Sequence, residues 1–181
     1  MNEVNEYEQR KKLEKQLINA HGKVEYTYTA HHKIEDRMTK NDKIIRTLQI
    51  VLTAVSTGGF LATIITNQIV LSWIGGIFAA CSLALNLYSK DFKLLSEARL
   101  HKDAADELWM IIIQYENLIT DINEISIDDI MKKRDALQRE TNEVSKKYPG
   151  TDRKGYLDTK NALQNEEEQS FGEGEAEKFL P

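Results

Sequence analysis

Hydrophobic and polar positions divide the chain into three regimes. From Leu13 to Ile45, seam residues recur at alternating spacings of four and three: Leu13, Leu17, Ala20, Val24, Thr27, His31, Ile34, Met38 and Ile45, with Asn41 in the remaining slot. This spacing marks a helix with one packing seam, and Gly22 is the point at which it could divide into two helices. The same spacing returns at Leu94, Ala98, His101, Ala105, Leu108, Ile112, Tyr115, Ile119 and Ile122. Between them, residues 47–89 contain no Asp, Glu, Lys, Arg or His. That stretch splits into spans 48–66 and 69–88, each about 20 residues and so long enough for a hydrocarbon core of about 30 Å. Asn67 and Gln68 remain as the turn. The pattern predicts an all-α membrane protein: a two-helix transmembrane hairpin continued without a break into a cytoplasmic helical stalk or bundle. The competing arrangement, a hairpin buried in a soluble core, would require a small fold to hide about forty consecutive uncharged residues.

Bulk composition conceals this division. The 181 residues are 29% charged and 41% hydrophobic, with net charge −5 and mean hydropathy −0.49, values of an ordinary acidic soluble domain. Cations flank both spans: Lys33, Arg37, Lys40, Lys43 and Arg46 before the first, and Lys90, Lys93, Arg99 and Lys102 after the second, while the turn has none. Positive residues stay cytoplasmic, which predicts both termini inside and the Asn67–Gln68 turn outside. Trp73 and Tyr88 suit interfacial anchors. The expected organisation is a cytoplasmic N-terminal helix or helices (1–46), the hairpin (47–89), C-terminal helices (90–165) and an acidic, disordered tail (166–181). Within the C-terminal part, Ser126 and Asp129 form a capping box for a helix that ends at Tyr148-Pro149-Gly150, and one more short helix is expected around Tyr156, Leu157, Ala162 and Leu163.

Both spans carry small-residue ridges: Ala54, Gly58 and Ala62 in the first, and Ser72, Gly76, Ala80 and Ala84 in the second. Such ridges pack helices within one hairpin, between subunits, or both. Opposite the first ridge, Gln49, Thr53, Ser56, Thr63 and Asn67 share a narrow arc interrupted by Phe60, and Ser82 and Asn86 add polar groups to the second span. Uncharged polar groups in lipid need partners, either across helices or in a wet lumen. Gln49, Thr53, Ser56, Phe60, Thr63 and Asn86 are therefore the pore-lining candidates, with Phe60 as an apolar constriction.

The sequence holds no phosphate loop, dinucleotide fingerprint, zincin motif or nucleophile elbow, and the single Cys81 excludes an internal disulfide or cysteine zinc cluster. The expectation is a non-enzyme without catalytic residues, metal or cofactor. Ten basic against eight acidic residues precede the gap (+2), and 14 against 21 follow it (−7), which disfavours nucleic-acid duplex binding. His31 and His101 share the seams and are expected to meet as a polar layer, a metal site or a pH sensor. Trp109 reads most simply as core.

The basic first helix, the nearly loopless hairpin and the exit segment YSKDFKLLSEARLHKDAADELW, with Lys90, His101, Ala104, Leu108 and Trp109, resemble the SLATT family over about residues 10–165. These are two-transmembrane proteins associated with SMODS nucleotidyltransferases and SLOG sensors in bacterial conflict systems. The resemblance implies an antiphage effector, with no catalytic residues to carry over. It would oligomerise and form pores or depolarise the inner membrane once a nucleotide signal or partner protein releases it. The implied partners are the lipid bilayer, further copies of the chain, and either a cyclic nucleotide or a cytosolic sensor or synthase. If a cyclic nucleotide binds directly, Tyr26, Tyr28, Lys33, Arg37 and Arg99 are the candidate contacts. The alternative from another class is a non-toxic two-span anchor or scaffold that recruits a cytosolic enzyme.

Overall fold

The computed structural model describes residues 2–169 together with 175 and 178. The described residues form five helices and no strand: α1 (Asn2–Thr66), α2 (Ile69–Phe92), α3 (Leu94–Thr120), α4 (Ile127–Lys147) and α5 (Arg153–Gln164). They fall into two compact units, one of Met1–Glu35 with Leu100–Pro181 and the other of Asp36–Arg99. These divisions lie closer to the chain ends than the limits of the charge-free stretch.

In the first unit α3 is central. Leu108, Ile112, Tyr115 and Ile122 are buried as the seam predicts, but so are Ala104, Ile111 and Leu118, which widens the stripe because α3 meets both α1 and α4. The first half of α1 supplies Leu13, Leu17 and Val24 to this core. It runs antiparallel to α3, with Arg10 at the Ile122 end, His21 near Glu116, and His31 beside His101. The Arg10 guanidinium donates to the carbonyls of Ile122 and Ile125, which lie in and just beyond the turn that closes α3. Gly22 does not divide α1. It faces outward with open space around it, and the glycine penalty of about 1 kcal/mol is offset by the buried neighbours Leu17 and Val24.

Helix α4 begins as its capping box predicts. The Ser126 hydroxyl accepts from the Asp129 backbone N–H (3.2 Å) and donates to the Asp129 carboxylate (2.7 Å). Ile130, Leu137 and Val144 form its buried face. At its other end the Tyr148 hydroxyl donates to Glu107 of α3 (2.8 Å), and Lys147 pairs with the same carboxylate.

Helix α5 is the short final helix, and of the four apolar residues that mark it Ala162 is buried and Leu163 half-buried. Tyr156 and Leu157 are exposed, while Gly155, Thr159 and Ala162 turn inward. A Cβ at Gly155 would lie 2.7 Å from the Ile34 side chain, so only glycine lets α5 approach α1 here. Asp152 caps the helix by accepting from the Gly155 N–H (2.6 Å). Beyond it, Glu166 accepts from Asn161 and Glu168 pairs with Lys33 at 2.7 Å. Glu166 and Glu168, at the start of the acidic tail, are thus paired with side chains of α5 and α1. The remainder of the disordered tail expected at 166–181 falls largely outside the described residues.

In the second unit, α1 ends at Thr66, Asn67 adopts a left-handed conformation (φ 53), and α2 starts at Ile69. Asparagine tolerates this geometry, which is why two residues suffice for the reversal. The expectation of an unbroken helix out of the second span fails at Lys93, whose φ of 40 and ψ of 39 end α2. A left-handed residue stops a helix as surely as proline does, and the Lys93 carbonyl accepts from Ser96 and Glu97, starting α3 afresh.

We predict that Gly155→Ala weakens α5 docking by about 1–3 kcal/mol through overpacking against Ile34. Gly150→Ala, with nothing near its Cβ, should not. Hydrogen exchange of the α5 amides reads the difference, and equal protection in both variants would contradict it.

Candidate functional site

The most unusual surface of the second unit is the antiparallel pair made by the end of α1 and α2. Each contains an 18-residue window of mean hydropathy 1.8, of which only 6% and 11% respectively is buried. Ile64, Ile65, Ile69 and Trp73 are each more than 70% exposed. A hairpin hidden in a soluble core would have the opposite distribution.

Two glycines set the spacing of the pair. A Cβ on Gly59 would lie 3.2 Å from the Leu71 carbonyl oxygen and 3.3 Å from the Gly75 Cα, and one on Gly75 would lie 3.0 Å from the Ser56 carbonyl oxygen. The backbones are therefore closest where Gly59 and Gly75 meet. The sequence pattern points instead to the other member of each Gly-Gly pair. A Cβ added to Gly58 or Gly76 would have nothing within 4 Å, and Ala54, Ala80 and Ala84 are exposed. A four-residue repeat marks a small face without saying which neighbour it meets, and the Gly59–Gly75 pair lies one residue out of phase with both ridges. Of the ridge residues, Ser72 joins the contact with α1 through a hydrogen bond, and Ala62 is half-buried.

The polar arc is turned toward this contact. Ser56 is buried and donates to the Gly75 carbonyl at 2.9 Å. Thr63 keeps its proton on the Gly59 carbonyl and accepts from Ser72 at 3.2 Å. Thr53 donates to the Gln49 carbonyl, so Ser82 is the donor in the 3.0 Å contact between their hydroxyls. Gln49 donates to Ser89 at 3.2 Å. Thr53 and Thr63 thus each satisfy their own proton locally and offer a lone pair across the pair. Ser56 and Thr63 are committed to α2 of the same chain. Gln49, Thr53 and Asn86 also line an open groove of about 840 Å³ along Ala54 and Gly58. Phe60 is 45% exposed, its ring leaning on Gly75.

The candidate nucleotide contacts are divided between the two units. Tyr26 donates to the Tyr156 carbonyl (2.9 Å) and packs on its ring, and Tyr28 packs on Trp109 and His32. Lys33 pairs with Glu168. These three belong to the first unit, Arg37 and Arg99 to the second. Trp109 is not core; it is 43% exposed beside Tyr28.

The histidine pairing inferred from the seams does form. The two Nδ1 atoms of His31 and His101 lie 2.8 Å apart in a buried contact, one ring donating and the other accepting. Burial first, then the neighbouring His101 and His32 rings, lower the pKa of His31 from 6.5 to about 4. No group of three or more metal-ligating side chains occurs among the described residues.

The sequence profile described as SMODS and SLOG-associating 2TM effector domain family 4 matches residues 13–175. No curated protein and no solved structure matches the chain.

We predict that Gly75→Ala lowers the thermal midpoint of the detergent-solubilised chain, with a loss of about 1–3 kcal/mol from overpacking. Gly58→Ala and Gly76→Ala should be neutral or stabilising, since alanine is the better helix former. Equal effects at all three positions would refute the assigned crossing. The His31 pKa is depressed in the fold, so the unfolded chain binds a proton that the folded chain refuses between pH 6.5 and about 4. Its contribution to stability is full above pH 6.5 and declines as pH falls through that window. Unfolding midpoints measured from pH 7.5 to 5 should therefore fall less in His31→Gln than in the parent chain, and parallel curves would remove His31 from the effect.

Proposed function

The chain belongs to the SMODS and SLOG-associating 2TM effector domain family 4, and we propose that it is a homo-oligomeric effector of the bacterial inner membrane. In this reading the apolar pair spans the bilayer as a hairpin with both termini cytoplasmic, and the first unit is the cytoplasmic control element of an antiphage, nucleotide-signalling system. A nucleotide signal or a partner protein releases it, and assembled hairpins permeabilise or depolarise the membrane.

The observation that carries this reading is the division of labour within each Gly-Gly pair. Gly59 and Gly75 close the contact within one chain, leaving Gly58 exposed and Gly76 half-buried, each with nothing near an added Cβ. Lipid tails give apolar helices no reason to associate, so an outward small face is useful chiefly for close packing against another helix. The groove beside Gly58 also presents Gln49, Thr53 and Asn86. Between copies these groups would form the polar wall of a lumen, in place of the longer stripe that includes Ser56 and Thr63. Helix α1 contributes residues to both units, so repacking of its first half against α3 can be carried along one helix into the spans.

Induced expression with a potential-sensitive dye tests the proposal. The parent chain should depolarise cells, while Gly58→Leu combined with Gly76→Leu should abolish depolarisation and leave the protein in the membrane fraction. Depolarisation retained in the double variant would sink assembly through this face. An undisturbed potential with the parent chain would favour the anchor or scaffold instead.

A further inference from the structure

A second cavity lies wholly within the first unit, between α1 and α4 with Tyr115 of α3 behind it. Its volume is about 550 Å³, within the range of small-molecule sites. The floor is apolar, made by the half-buried Ala20 with the buried Val24 and Tyr115 beneath it. The walls are different in kind. Helix α1 contributes Gln16, Asn19 and Lys23, and α4 contributes Arg134, Gln138, Thr141 and Asn142; no carboxylate lines the space. In a chain with net charge −5, a cavity with two cations and four carboxamides stands apart.

The hydrogen bonding of these groups indicates what they can receive. Arg134 is held in place, donating to Gln16 at 2.9 Å and to the neighbouring carboxylate of Asp135 at 2.9 and 2.7 Å. Among the described residues, Lys23 has no ion pair, and the carboxamides of Asn19, Gln138 and Asn142 hold no hydrogen bond. An exposed ammonium without an ion pair and a guanidinium positioned by Gln16 and Asp135, both on the walls of one groove, are groups that can receive a phosphate. A carboxamide offers a donor and an acceptor side by side, the pattern that pairs with the edge of a nucleobase. An apolar floor suits the face of the base.

We infer that this groove is a nucleotide-binding site, with Lys23 and Arg134 on the phosphate and Asn19, Gln138 and Asn142 on the base. It is distinct from the Tyr26, Tyr28, Lys33, Arg37 and Arg99 set. The inference rests on the reading of the chain as a signal-released effector, and it places the ligand against the three helices whose packing that release would alter.

The test uses the full chain in lipid nanodiscs, with N-methylanthraniloyl-ATP and a fluorescent cyclic di-AMP as probes. At least one should bind saturably and be displaced at least ten-fold more effectively by its unlabelled parent than by adenosine or pyrophosphate. Lys23→Met and Asn142→Leu should each weaken binding about ten-fold, while thermal midpoints stay within a few degrees because both side chains are exposed. Absence of saturable binding by both probes, displacement by pyrophosphate as effective as by the nucleotide, or unchanged affinity in both variants would each overturn the inference. Binding is read on purified protein and depolarisation in cells. Lost binding with depolarisation intact removes the groove alone, while binding without depolarisation removes the effector reading and leaves the groove.

Discussion

Close approach of two backbones at Gly59 and Gly75 is the constraint from which the apolar pair follows. Once those helices touch at backbone distance, the Ser56 hydroxyl reaches the Gly75 carbonyl. Thr53 and Thr63 then fall opposite Ser82 and Ser72. Each such bond contributes only about 1 kcal/mol in lipid, but leaving the same hydroxyls without partners would cost more. Packing and polar satisfaction therefore require the same register. A residue larger than glycine at the crossing would separate the donors from their acceptors along the whole pair.

The first unit obeys a different rule, because its apolar side chains are buried where those of the second are exposed. Its helices are held by a wide apolar stripe on α3, and polar side chains act mainly at helix ends: Arg10 at the close of α3, Ser126 and Asp152 at the starts of α4 and α5, and Tyr148 at the end of α4. The His31–His101 contact is instead buried in mid-helix. A buried pair of bases permits one hydrogen bond when neutral and none when both rings carry two protons, so it specifies register at the expense of acid tolerance.

Elements whose cause is local were legible in the sequence. The capping box at Ser126, the stop at Tyr148-Pro149-Gly150, the Asn67–Gln68 turn and the facing of His31 with His101 each depend on spacing within one helix or between two evident seams. What escaped depends on three-dimensional phase. Gly58 and Gly59 differ by about 100° around the helix, and the pattern of neighbours does not say which of them faces α2. The break at Lys93 has no sequence mark because a lysine can take the left-handed form that glycine usually supplies. The groove between α1 and α4 was likewise hidden, since its carboxamides read as ordinary solvated positions until two helices bring them face to face.

Adjacent glycines explain how one short segment can serve two contacts with different requirements. The inward glycine must be small because a backbone lies against it at all times, so its role is set within the chain. The outward glycine has no such neighbour, and within a single copy its smallness is merely a weakness in the helix. An apolar surface built only to face lipid gains nothing from Gly58, Gly76, Ala80 and Ala84 over leucine. In the proposed assembly a second backbone would approach them there, and such a contact could be lost or regained without unfolding the hairpin. That separation is what a releasable effector needs: an internal crossing that stays closed, and an outer one whose occupancy can change.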